Sequence, residues 1–257
     1  SWNQLGVDGA SPDHDASFAE MRAHGVSVVR WWVFPEFRGE GVALDSTETP
    51  TGLGSTVMAD IDAALELADE HDVYLMLTLF SFDNFRPTRV EAGIDIPGLS
   101  PIALDATKRK ALLDNVVRPF AAHVETSPRK KRVIAWDVIN EPEWAITGPS
   151  PYGDEDYGEN PDLDPLTHAE METFLAETIT ALRDQSSALV TVGGASPKWK
   201  NAWSMLDLDF HQFHTYGWMQ PWWPYDMSPS EHGVDDKPVV MGQFPLGELE
   251  AGTSYTD

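Results

Sequence analysis

Residues 133–144 read VIAWDVINEPEW. The first eight are mostly β-branched, aromatic or aliphatic, and both alternating sides of the run are apolar. A strand that is apolar on both faces belongs inside a parallel sheet covered by helices. The reading predicts a strand over 132–140, stopped by Pro142, which locks its own φ and lacks an N–H. Asn140 and Glu141 then stand at the strand's C-terminal end.

Working outward, the same strand-length apolar run recurs at 4–8, 26–34, 73–80, 188–194, 208–214 and 237–243. Between the runs lie stretches with helical spacing. In 15–25, Phe18 and Met21 share a face and Gly25 supplies a stop. In 56–72, Met58, Ile61, Leu65 and Ala68 align. Leu112, Leu113, Val116, Val117 and Phe120 form the stripe of 105–124, and Met171, Phe174, Leu175, Ile179 and Leu182 that of 166–184. Strands alternating with helices across 257 residues, without a change of composition, predict one α/β domain over 1–257, a (β/α)8 TIM barrel. Seven strands leave the barrel one short, and an open seven-stranded sheet is the alternative. An eighth βα unit would take about thirty to fifty further residues. Connections preceding the strands are short, whereas those following them are long and rich in Trp, Pro, Gly and Asp. Chemistry in such a barrel sits at the C-terminal ends of the strands.

Forty-two acidic against 17 basic residues give a net charge of −25. That field repels nucleic acid and anionic lipid and suits a neutral partner. The basic run PRKKR at 128–132 is expected to cap the C-terminal end of the helix before it. The chain has no cysteine, which excludes disulfides and thiolate chemistry. It has no apolar run long enough to span a membrane. A secreted monomer is expected. Ten Trp, 11 Phe and 6 Tyr exceed what a core needs, so some rings are expected to bind ligand.

Trp31 and Trp32 are neighbours on a strand, so one points inward and one outward. Trp136, mid-strand, is expected in the core. Trp144, just past Glu141, is a candidate ligand-binding ring at the strand end. Trp199 and Trp203 share a helical face, with packing and platform roles equally open. Trp218, Trp222, Trp223 and Tyr225 crowd one loop, and exposed flat rings stack on the apolar faces of sugars. His211 and His214 are three apart on a strand and so cannot share a metal. The acidic stretch 154–164 lacks the twelve-residue calcium-loop pattern. Glu141 would serve as a general acid if its surroundings raised its pKa.

These segments, taken in order, resemble glycoside hydrolase family 5, the cellulase and β-mannanase family of (β/α)8 barrels. VVRWW supplies Arg30, INEPEW supplies Asn140 and Glu141, and FHTY supplies His214 and Tyr216. KPVVMGQFP supplies Gln243 where the family carries a Glu. The resemblance implies Glu141 as acid/base, Asn140 on the sugar 2-hydroxyl, and Arg30, His214 and Tyr216 around them, Tyr216 bonded to the side chain at 243. Trp144, Trp218 and Trp222 are expected on the sugar, and Phe82, Asp83 and Asn84 match the family's substrate contacts loosely. No cofactor or metal is implied. The expected substrate is a β-mannan or β-1,4-glucan, and VVRWWVF is similar to the mannanase branch. The family's retaining reaction uses two carboxyl groups about 5 Å apart, one of them the nucleophile. A carboxamide at 243 has the shape but not the charge, so oligosaccharide should bind and scarcely turn over. Gln243 is then either an introduced change or the mark of a natural glycan-binding barrel. Glu248 and Glu250 are poor substitutes, being beyond the strand. A lyase or aldolase barrel would want a lysine or metal ligands at the strand ends.

Overall fold

In the computed structural model, residues 12–37, 41–91, 93–219, 221–223 and 228–244 are described. The expected strand over 4–8, Tyr225, Glu248 and Glu250 lie outside them. Six strands form one sheet: β1 (Val28–Trp32), β2 (Tyr74–Ser81), β3 (Val133–Asn140), β4 (Leu189–Gly194), β5 (His211–His214) and β6 (Val239–Gln243). Each pairs in parallel with its neighbour in sequence. Parallel strands in chain order, the first four joined by α-helical crossovers, are the arrangement of a (β/α)8 barrel.

Pairing trims the predicted runs by one to three residues at their starts. β3 is buried from Ala135 onward, as a central parallel strand must be. Trp136 is wholly buried and packs edge-on against Phe120, centroids 5.9 Å apart. Trp31 is 7% exposed against Phe18, while Trp32 is turned to the other side of β1 and lines a cleft.

The helices cover the outside of the sheet. Val57–Glu70 buries Val57, Ile61, Ala64, Leu65, Leu67 and Ala68. His168–Arg183 opens with a capping box: Thr167 N–H donates to Glu170 Oε2 at 2.8 Å, and Glu170 N–H donates to Thr167 Oγ1 at 3.3 Å. Such a cap contributes about 1 kcal/mol. The predicted helix over 105–124 runs as Ala106–Leu112, a π turn at Leu113–Val117 and Arg118–Thr126. Pro119 explains the turn, since it has no N–H for the carbonyl four residues back and needs extra room there. No helix among the described residues is long and apolar enough to cross a membrane.

Two findings differ from expectation. The basic run does not cap the preceding helix. Arg129 pairs with Glu66 at 2.9 Å, and Arg132 with Asp69 and Asp72 at 2.8 Å each. Lys130 turns back to Glu125 at 2.5 Å. Side-chain carboxylates carry full charges and outcompete the partial charge of a helix end. The loops after β1 and β2 contain antiparallel hairpins, Val42–Leu44 with Pro50–Leu53 and Arg89–Glu91 with Ile94–Ile96. Their runs are too short to show a period.

Candidate active site

The C-terminal ends of the strands open into a cleft of about 360 Å³. It is lined by Trp32, Phe82, Asp83, Asn140, Glu141, Trp144, Ala195, Tyr216, Trp218 and Gln243. A buried carboxylate organises its floor. Asp137, in the middle of β3, is wholly buried. One of its oxygens, Oδ2, accepts from Arg30 Nε at 2.8 Å, Thr78 Oγ1 at 2.9 Å and Gln212 Nε2 at 3.1 Å, and pairs with Arg30 Nη2 at 2.6 Å. The other, Oδ1, accepts from Gly193 N–H at 2.9 Å. A buried charge persists only when paired and bonded in this way. Glycine at 193 and 242 makes room: a Cβ on either would come within 2.7 Å of the Gln212 side chain.

Arg30, fixed by Asp137, donates from Nη2 to Asn140 Oδ1 at 3.0 Å and lies over the Trp32 ring at 5.6 Å. The same Asn140 oxygen accepts from Gln243 Nε2 at 3.1 Å, and Tyr216 O–H donates to Gln243 Oε1 at 2.8 Å. Because Arg30 can only donate, Asn140 must turn its oxygen towards it. The end of residue 243 nearest that oxygen is then satisfied by an N–H. Gln243 is thus bonded as an amide at both ends.

Glu141 follows β3 with φ +53°, a left-handed conformation that costs a non-glycine residue of order 1–3 kcal/mol. Its N–H donates to the Gly193 carbonyl at 2.6 Å, and its own carbonyl accepts from Trp144 N–H at 3.2 Å. The carboxyl group reaches His214 Nδ1 at 2.7 Å through Oε1 and accepts from Trp144 Nε1 at 3.0 Å through Oε2. Burial pushes the His214 pKa down, against the pull of Glu141. A neutral imidazole there can donate to a carboxylate or accept from a carboxylic acid.

The structure therefore brings together Arg30, Asn140, Glu141, Trp144, His214, Tyr216 and Gln243. Trp218, 44% exposed, forms the outer wall. Trp222 stands one ring further out, edge-on to Trp218 at 6.1 Å, with its Nε1 on Glu155 Oε1 at 2.6 Å. Trp199 and Trp203 are buried, which settles them as packing residues. Phe82 and Asp83 reach the cleft. Asn84 is turned away and accepts from Ser81 N–H at 2.7 Å. His211 points from His214 to Asp236, 2.8 Å away. In the acidic loop, Asp154 accepts from Asn201 and Asp156 from Ser150. Burial pushes the carboxyl group of Glu143, two residues past Glu141, up to about 7. Asp137, Gln212 and Glu143 escaped the sequence reading. The one signal available was a charged residue in mid-strand.

No family model matches the chain. Known relatives include two proteins named mannan endo-1,4-β-mannosidase. That of Mytilus edulis is 24% identical over 262 residues, spanning 90% of this chain and 68% of that protein. That of Cryptopygus antarcticus is 25% identical over 268 residues, spanning 88% and 64%. The solved β-mannanase of Mytilus edulis superposes with a TM-score of 0.73 at 22% identity, covering 92% of this chain and 72% of that one. The endo-1,4-β-mannanase of Eisenia fetida gives 0.73 at 19%, covering 92% and 70%. The chain is a homologue of family-5-type mannanases, and its curled sheet is a part of their (β/α)8 barrel.

Proposed function

We propose that the chain carries the cleft of a retaining β-mannanase in which Gln243 occupies the nucleophile position. It binds β-linked mannan and hydrolyses it very poorly. The observation that carries this reading is the lining of one cleft by Glu141 and Gln243, with Asn140 and Tyr216 bonded to the amide.

Glu141 is the acid/base. His214 and Trp144 hold its two oxygens, so the carboxyl group is aimed before substrate arrives. Asn140, oriented by Arg30, and Tyr216 fix the side chain at 243. Trp144 and Trp218 offer ring faces to the sugar, and Trp222 backs Trp218. In the retaining reaction a carboxylate at 243 would attack the anomeric carbon while Glu141 protonates the leaving oxygen. Water would then displace the carboxylate with Glu141 as base. The carboxamide can neither form that ester readily nor stabilise positive charge on the sugar.

The test is hydrolysis of β-mannan and β-1,4-glucan by this chain and by its Gln243→Glu variant. A gain of at least about a thousandfold, of order 4 kcal/mol in barrier, is expected. No gain, with oligosaccharide still bound, would favour a second reading. In that reading the cleft is a natural glycan-binding site, consistent with Gln243 being bonded as an amide at both ends.

A further inference from the structure

Just beneath the cleft lies a carboxyl group that the proposed chemistry does not use. Glu143 is 2% exposed. Its Oε2 accepts from Ala195 N–H at 2.9 Å and its Oε1 from Trp203 Nε1 at 2.7 Å. The carboxylate lies flat on the end of β4, where a Cβ on Gly194 would stand 3.3 Å from Oε1. Trp203 stacks on His168, 5.0 Å and 9° apart. His168 stacks on Tyr157, Tyr157 on Trp199, and Trp199 meets Trp144 edge-on at 5.3 Å. The contacts that leave residue 143 thus return to residue 144, which walls the cleft.

Strain explains what this ring of contacts is for. Glu141 is left-handed, and such a conformation survives only where surrounding contacts over-determine it. The Glu141–Trp144 turn is tied to β4 by Glu141 N–H on the Gly193 carbonyl and by Glu143 on Ala195. We propose that Glu143 is a positioning residue. Its carboxylate clamps the 141–144 turn to the end of β4 and to Trp203, and so holds the Glu141 carboxyl group on His214 and the Trp144 indole in the cleft wall.

The clamp needs two acceptors, because both of its partners are N–H donors. An amide at 143 would turn an N–H towards one of them and lose that bond. The titratable groups around Glu143 are Glu141 on its own turn, Tyr157 on the loop above and, beyond the Trp203 ring, His168. Burial outweighs the Ala195 and Trp203 donors, the charge of Glu141 adds to it, and the Glu143 pKa rises to about 7. The consequence for catalysis rests on Glu141 being the acid/base, whereas the clamp itself does not.

Two variants test it, Glu143→Gln and the milder Trp203→Phe, which keeps a ring on His168 and removes one donor. In the chain as it stands, amide hydrogen exchange at Glu141 and Trp144 should quicken at least about tenfold relative to β2 and β3. In the Gln243→Glu background, kcat on mannohexaose should fall about tenfold to a hundredfold, as a small misplacement of the acid does, while KM changes less. Tryptophan emission should titrate near pH 7 in the parent and not in Glu143→Gln. Exchange at 141–144 that rises no more than elsewhere, or an unchanged kcat, would overturn the clamp. If Gln243→Glu gains no turnover, the hydrolase reading fails, and the exchange experiment still decides the clamp.

Discussion

Strands β3 and β6 deliver Glu141 and Gln243 to the same cleft by different means. β3 lies between β2 and β4, and every residue from Ala135 to Asn140 is buried. The turn beyond it is then fixed by backbone bonds to β4 and by Glu143. β6 has one strand neighbour among the described residues, and its positions are half-buried or, at Met241, 52% exposed. Gln243 owes its place to the Thr215 N–H on its carbonyl at 2.9 Å and to the side chains of Tyr216 and Asn140. One half of the cleft is placed by packing and strain, the other by hydrogen bonds at a strand edge. A change of charge at 243 is therefore a local event, whereas a change at 137, 141 or 143 is felt through the sheet.

The sharpest way to break this comparison is to remove the acid where the charge at 243 has been restored. In the Gln243→Glu background, Glu141→Gln should lower kcat by about 10²- to 10⁴-fold, measured on mannohexaose. Chemical unfolding should show little change in stability for Gln243→Glu alone. A large loss would mean that the amide is as deeply embedded as the acid.

Next in size is Asp137→Asn. It leaves Arg30 buried without its counter-charge and should cost about 3–5 kcal/mol in a urea titration. A loss under about 1 kcal/mol would show that packing alone holds β3.

The smallest effect is one of pH. Folding raises the Glu143 pKa from its ordinary 4.5 to about 7, so the folded chain binds more protons in between. Stability from this group is complete below about 4.5, falls as pH rises to about 7, and is level beyond, a change of order 1–3 kcal/mol. His214 acts in the opposite sense. Burial lowers its pKa, so the unfolded chain binds more protons, and stability falls as pH drops below about 6.5. In Glu143→Gln the decline between 4.5 and 7 should vanish and the acid-side loss remain. Thermal unfolding from pH 4 to pH 9 checks both.

Much of this was legible in the chain. Apolar runs located all six strands of the main sheet, and the Trp31–Trp32 pair was read as facing opposite sides of its strand. Asn140, Glu141, His214, Tyr216 and Gln243 could be gathered through the family resemblance of their motifs, each standing at or just past the end of a strand. Asp137 and Glu143 could not be understood the same way. Their partners lie 56 to 107 and 52 to 60 residues away, and only the folded sheet brings those groups together. The partners of PRKKR were hidden for the same reason. Local helical signals point to the nearest helix end, while Arg129 and Arg132 find their carboxylates on and just past the distant helix Val57–Glu70. The hairpins after β1 and β2 are too short for any periodic signal.

Strand order that follows chain order also sets a schedule for synthesis. Each strand leaves the ribosome with its neighbour already made, so the sheet can grow from one edge without rearrangement. Asn140 is made 103 residues before the glutamine that bonds it. At ordinary elongation rates that is about 5–20 s. Through that interval the acid half of the cleft exists without its counterpart, and the edge that β6 will cover is open to any other strand.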